Sequence, residues 1–88
     1  MKVYVLTLVN LSTIDTDING EYNNKVFTDY ETAKKELQEW KDGEYKILTE
    51  EDGQDVTISE TEEGDFVYMT WHDGEEGEMI DIRELEVN

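Results

Sequence analysis

The sequence predicts an α+β domain: an antiparallel sheet of five to six short strands with one helix packed on one face, in the order β-β-α-β-β-β and with room for one more strand at the end. Three observations predict it. Apolar residues recur with a helical period in one segment, between Tyr30 and Trp40. Elsewhere short runs rich in Val, Ile, Tyr, Phe and Trp follow a period of two, which suits a pleated surface. Tight turns separate those runs, and such turns join antiparallel neighbours.

The first strand is expected over residues 2–9, where Val, Leu and Tyr make both faces largely apolar and so place it centrally. A polar stretch from Asn10 ends in the turn pair Asn19-Gly20, and residues 21–27 return as a second strand. Thr28-Asp29-Tyr30-Glu31 reads as a capping box, with Thr28 covering the free amides and Glu31 reaching back. Tyr30, Ala33, Leu37 and Trp40 form the apolar stripe of the helix; Lys34 and Lys35 lie off it, and Gly43 is read as the stop. After it, Tyr45, Ile47 and Leu48 mark a strand, and Val56 and Ile58 alternate with Thr57 and Ser59. Asp65 to Trp71 forms the next strand, and Met79, Ile80 and Ile82 the last clear one. Leu85 and Val87 fall out of phase with it, which predicts a bulge or short helical turn near Glu84. One helix cannot cover so wide a sheet, so part of the far face is wet, short-stranded or covered by a partner.

At 88 residues the chain is one domain, 1–88, with a modest core. It has no cysteine, hence no disulfide and no thiolate metal site, which fits the cytoplasm. The apolar N-terminal run is too short for a membrane span and lacks the small-residue cleavage site of a signal peptide.

The composition is dominated by acid: 24 Asp and Glu against 7 Lys and Arg give a net charge of -17. Free nucleic acid and anionic membranes carry the same sign and make poor partners; a basic protein surface or a cation makes a good one. The charge is uneven. Residues 1–48 hold nine acids and six lysines, a net of -3; residues 49–88 hold fifteen acids and Arg83, a net of -14. The excess clusters at Glu50, Glu51, Asp52 and Asp55; at Glu60, Glu62, Glu63 and Asp65; and at Asp73, Glu75, Glu76 and Glu78. Each cluster flanks an expected turn, and the first and third share one end of the sheet if no strand is missed. Carboxylates at alternate strand positions lie roughly 6.6 Å apart, the scale of the backbone charges of a nucleic acid, roughly one per 3.4 Å of rise along a strand. A protein that binds DNA through Lys and Arg discriminates poorly between phosphates and well-placed carboxylates. Solubility alone is served by a net charge of about -5. Three readings follow: a solvated surface, a specific basic protein partner, and cation binding.

Other chemistry is thinly supported. Asp15-Thr16-Asp17-Ile18-Asn19-Gly20 matches the opening of a calcium loop, with Asp15, Asp17 and Asn19 as ligands, but the twelfth position is Val26, where a bidentate acid is needed. The alternative is an Asp/Asn-rich hairpin loop. His72, the single histidine, lies beside Asp73 at a turn and has no nucleophile or second imidazole in its neighbourhood of sequence. No phosphate loop appears, no cofactor is implied, and the chain is read as a binder and not an enzyme. Tyr68 and Trp71 fall on opposite faces of one strand, so one belongs to the core and the other is available to a partner.

The three acidic clusters and the hairpin-rich frame resemble the small acidic proteins with which phages and mobile elements block bacterial defences, including anti-CRISPR and anti-restriction DNA mimics. The resemblance implies an inhibitor that binds where a nuclease complex reads a PAM, a guide or duplex DNA through Arg and Lys. The expectation is therefore an acidic, nucleic-acid-mimicking inhibitor of a basic nucleic-acid-binding protein. Its contacts are the three clusters with Tyr68 or Trp71 as anchor, and it binds no nucleic acid or membrane itself. The alternative is a structural or regulatory interaction domain, a homodimer through its open sheet face.

Overall fold

A computed structural model describes residues 1–12 and 22–87. The elements are β1 (Lys2–Ser12), β2 (Tyr22–Phe27), α1 (Tyr30–Lys46), a π-helical turn (Ile47–Glu51), β3 (Thr57–Glu60), β4 (Phe66–Trp71) and β5 (Glu76–Glu86). The calcium-like loop at Asp15, Asp17 and Asn19 lies outside the described residues.

The strands form one antiparallel sheet in the order β2-β1-β5-β4-β3, so the α+β expectation holds with five strands. β1 sits between β2 and β5, as its two apolar faces require. It pairs with β5 along its whole length, from Lys2 opposite Glu86 to Ser12 opposite Glu76. The pairing puts Tyr4, Leu6 and Leu8 on the same face as Ile80 and Ile82 of β5 and Val67, Met69 and Trp71 of β4. The helix covers that face. Ala33 and Leu37 are fully buried in it, and Leu37 joins Leu6, Leu8, Val67, Met69 and Ile80 in the core. Phe27, Trp40, Val56 and Ile82 close its margin. Tyr30 packs on Tyr4 with ring centroids 5.2 Å apart.

The helix begins one residue later than the capping box suggests. Asp29, not Thr28, is the cap: its extended backbone lets Oδ2 accept from the Thr32 amide at 2.9 Å and from the Thr32 hydroxyl at 2.6 Å. These two bonds hold the Asp29 carboxyl below its ordinary pKa near 3.8. Its contribution is therefore present above that pH and is lost as acidification passes through the lowered value. Asp29→Ala is expected to lower the Tm near neutral pH by roughly 4–8 °C, whereas Asp29→Ser, which keeps a cap acceptor, recovers most of the loss. Thermal melts of the two variants check this.

The stop also moves. The helix runs through Gly43, and residues 45–48, expected as a strand, are helical. Leu37, Glu44 and Leu48 continue one helical stripe, and Leu48 is buried. The last turn widens: the Asp52 amide donates to Ile47 at 3.0 Å and the Gln54 amide to Leu48 at 2.8 Å. Gly53, at φ 65°, supplies the left-handed residue that ends the helix, ten positions past the expected one.

The bulge expected near Glu84 is absent. β5 stays in register with β1 to Glu86, and Leu85 lies on the face opposite the helix, half-exposed. That opposite face carries no helix or other element among the described residues, which leaves it either wet or covered by a partner.

Candidate functional site

The three acidic clusters fall at the two ends of the strands. Thr57, where β3 starts, is opposite Thr70, near the end of β4. The approach to β3 and the β4–β5 turn therefore meet at one end. A shallow depression there is lined by Gln54, Asp55, Thr57, Thr70, His72 and Asp73. The first and third clusters thus share an end, as the turn count suggested. The β3–β4 turn, carrying Glu62, Glu63 and Asp65, lies at the other end of β4, about 20 Å away for a strand of six residues. Glu63, Asp65 and Glu84 there surround Tyr4 and Tyr30 in a second depression. Burial, with Asp65 and Glu63 beside it, pushes the Tyr30 phenol above its ordinary value of 10.0.

The basic residues are mostly committed elsewhere. Lys2 bridges Glu84, Lys25 bridges Glu36, Lys34 bridges Glu31, Lys41 bridges Glu60 and Arg83 bridges Asp81. Among the described residues, no lysine or arginine bridges Glu50, Glu51, Asp52, Asp55, Glu62, Glu63 or Asp73. At the shared end, Glu50, Glu51, Asp52, Asp55 and Asp73 are therefore carboxylates with no lysine or arginine bridge among the described residues. The turn that carries Asp73 is held in a demanding geometry. His72, Asp73 and Gly74 are left-handed in succession, with φ of 58°, 55° and 84°. The Gly74 amide donates to Trp71 at 3.2 Å and the Glu75 amide to His72 at 3.1 Å. His72 faces Glu75 at 3.4 Å on the surface, an arrangement that holds a turn and offers no nucleophile.

Several expected contact residues are not open to a partner. Trp71 is 7% exposed, a core residue whose Nε1 donates to Glu76 Oε2 at 2.8 Å. That bond also occupies Glu76, which is half-buried. Tyr68 is the residue of the pair on the helix-free face, half-exposed. The regular row of carboxylates along a strand is not built either. Most of the cluster residues lie in turns; Glu76 and Glu78 do alternate on β5, but on the helix side.

Glu78 is the exception in a surface-acid protein. It sits between core residues on β5, opposite Met69 of β4, and is 5% exposed. Its Oε2 has no hydrogen-bond partner. Burial first, then the charge of Glu44 and a hydrogen bond with it, pushes its pKa up to about 7. The two carboxyl groups face each other at the seam between α1 and β5, and the charge of one disfavours ionisation of buried Glu78. Sequence reasoning missed this pair because Glu78 reads as the tail of a turn cluster. The available signal was its alternation with Ile80 and Ile82 on one face.

Among the described residues, no group of three or more His, Asp and Glu side chains could hold a metal ion. Nor is any helix among them long and apolar enough to cross a membrane. Comparison with known proteins returns no matching family model, no matching curated protein and no matching solved structure.

Proposed function

We propose that the chain is a stoichiometric inhibitor that presents carboxylates in place of nucleic-acid phosphates and blocks a basic nucleic-acid-binding enzyme, such as a CRISPR or restriction nuclease. It acts by binding, without chemistry of its own, in the cytoplasm where such nucleases work. The observation that carries the reading is the meeting of Asp55 and Asp73 at one strand end, with Glu50, Glu51 and Asp52 in the turn that leads to Asp55 and no lysine or arginine among the described residues bridging any of the five. Surface carboxylates left without internal partners lose little on meeting Arg and Lys, and they steer a basic partner from a distance. The opposite end, at Glu62, Glu63 and Asp65, stands about 20 Å away, a span of about six steps of a nucleic-acid strand. Tyr68 and Trp71 do not supply an open anchor to this surface: Tyr68 does not line the depression and Trp71 is buried.

The test is DNA cleavage by a panel of purified guide-loaded CRISPR nucleases and restriction enzymes, titrated with the protein. Inhibition is expected at one-to-one stoichiometry for a susceptible enzyme, weakened by salt and competed by duplex DNA. The triple reversal Glu51→Lys, Asp52→Lys, Asp73→Lys is expected to slow association at least ~10-fold. Reversal of Glu62 and Glu63 reports whether the second end takes part. A panel with no inhibited member, or inhibition that the triple reversal and the Glu62/Glu63 reversal both leave intact, counts against the reading.

A further inference from the structure

The uncovered face of the sheet differs from the rest of the molecule in charge. It presents Val5 and Val9 of β1, Met79 and Leu85 of β5, and Tyr68 of β4, with Val3 buried opposite Leu85. The polar positions among them, Thr7, Asn24, Thr57, Ser59 and Thr70, are uncharged. In a chain with 24 acids, the described strand residues of this face include one acid, Asp81, and one base, Arg83. They lie at successive outward positions of β5, with Nε 3.5 Å from Oδ2, and their charges cancel. Arg83 is also the sole base after residue 48.

One glycine shapes the face beside Tyr68. A Cβ on Gly77 would stand 3.3 Å from the Tyr68 hydroxyl oxygen and 3.1 Å from the Met69 carbonyl oxygen. The glycine thus lets the Tyr68 ring lie down along the sheet instead of standing away from it.

We propose that this face is the contact surface of a symmetric dimer and that its occupant is a second copy of this chain. A basic partner finds no net field here to draw it in, and the acidic ends, not this face, attract such a partner. A second copy brings the same neutral, apolar surface, and a two-fold contact needs a surface that complements itself. Neighbouring Asp81 and Arg83 satisfy that need. Across the two-fold, Arg83 of one copy meets Asp81 of the second copy, near the centre of the face, where Asp81 pairs with Thr7 and Arg83 with Val5. The area is at the lower end of what a stable dimer needs. The five strands, of 11, 6, 4, 6 and 11 residues, cover about 600 Å². Two copies would bury about 1,200 Å², where specific stable interfaces begin. Two sheets stacked face to face, about 10 Å apart, leave the acidic strand ends at the rim, where solvent and counterions screen them.

Sedimentation equilibrium in about 0.5 M salt, where repulsion between distant acids is screened, tests this directly. A dimer is expected. Arg83→Glu and Leu85→Lys change exposed side chains, 74% and 50% exposed, so the fold is expected to survive, as circular dichroism will show. Each is expected to weaken the dimer at least ~10-fold, by setting acid against acid or by burying an unpaired ammonium group. The exchange Asp81→Arg with Arg83→Asp keeps the face self-complementary and restores dimerisation. A strict monomer up to about 1 mM protein, which puts any association weaker than about 4 kcal/mol, overturns the proposal and leaves the face to a different protein. A dimer indifferent to both single substitutions also overturns it, because that dimer uses another surface. No nuclease enters this experiment, so its result is independent of the inhibitor reading.

Discussion

Glu78→Gln is expected to make the protein more stable, by about 2 kcal/mol near pH 8. The reason is the sign of the linkage. Glu78 ionises near its ordinary 4.5 when unfolded and at about 7 when folded. Below about 4.5 it is neutral in both states and costs nothing. Between the two values the unfolded chain releases a proton that the folded one keeps, so stability falls as pH rises. Above about 7 both states are ionised and the full penalty of a buried charge beside Glu44 remains. The shift alone would set that penalty near ~3 kcal/mol; partial solvation of Glu44 reduces it. Glutamine has the shape of the protonated acid and its amide can donate to the Glu44 carboxylate at every pH, so the variant escapes the penalty. Urea melts near pH 4, 6 and 8 read the result. The variant and wild type are expected to converge near pH 4 and to separate as pH rises through 7. Parallel stability curves, or a variant weaker than wild type near pH 8, would sink the account of the pair.

The same pair shows where the sequence stops being legible. The helix start, the strand alternation, and the shared end of the first and third acidic clusters follow from local patterns. Capping chemistry, period-two runs and turn residues carry them. The helix end does not. The stripe Leu37, Glu44, Leu48 passes through an acid, and a rule that seeks apolar residues ends it early at Gly43. Glu44 faces Glu78 there, a tertiary fact invisible to periodicity. The length of β5 was hidden likewise. Glu84 and Glu86 look like a polar tail, but opposite Tyr4 and Lys2 of β1 they complete eleven paired positions. Trp71 was assignable to one of two faces but not to the core, because only the position of the helix decides which face is covered. For the candidate site, the composition identified the clusters but not their pairing. The commitment of Lys25, Lys34, Lys41 and Arg83 to other acids is what leaves the Glu50–Asp55 end uncompensated.

Leu37→Ala is expected to cost about 2–5 kcal/mol and to take the domain to the edge of unfolding at low salt. Leu37 is fully buried and is the helix residue in the central cluster, touching strands from both halves of the chain through Leu6, Leu8, Val67, Met69 and Ile80. A single helix provides the sheet's cover, so no second element can move in to fill the space. A domain of 88 residues has a total stability of roughly 4–13 kcal/mol, and here a net charge of -17 opposes compaction. Salt acts on that opposing contribution and not on the cavity. The variant is therefore expected to lose its cooperative melt in dilute buffer and to regain it in about 0.5 M salt, at a lower Tm than wild type under the same conditions. Ile47→Ala, at an exposed position of the π-helical turn, is the matched control, expected within about 0.5 kcal/mol of wild type. Chemical melts at the two salt concentrations separate the effects. A Leu37→Ala protein within about 1 kcal/mol of wild type in dilute buffer would mean that the helix does not anchor the sheet at this residue.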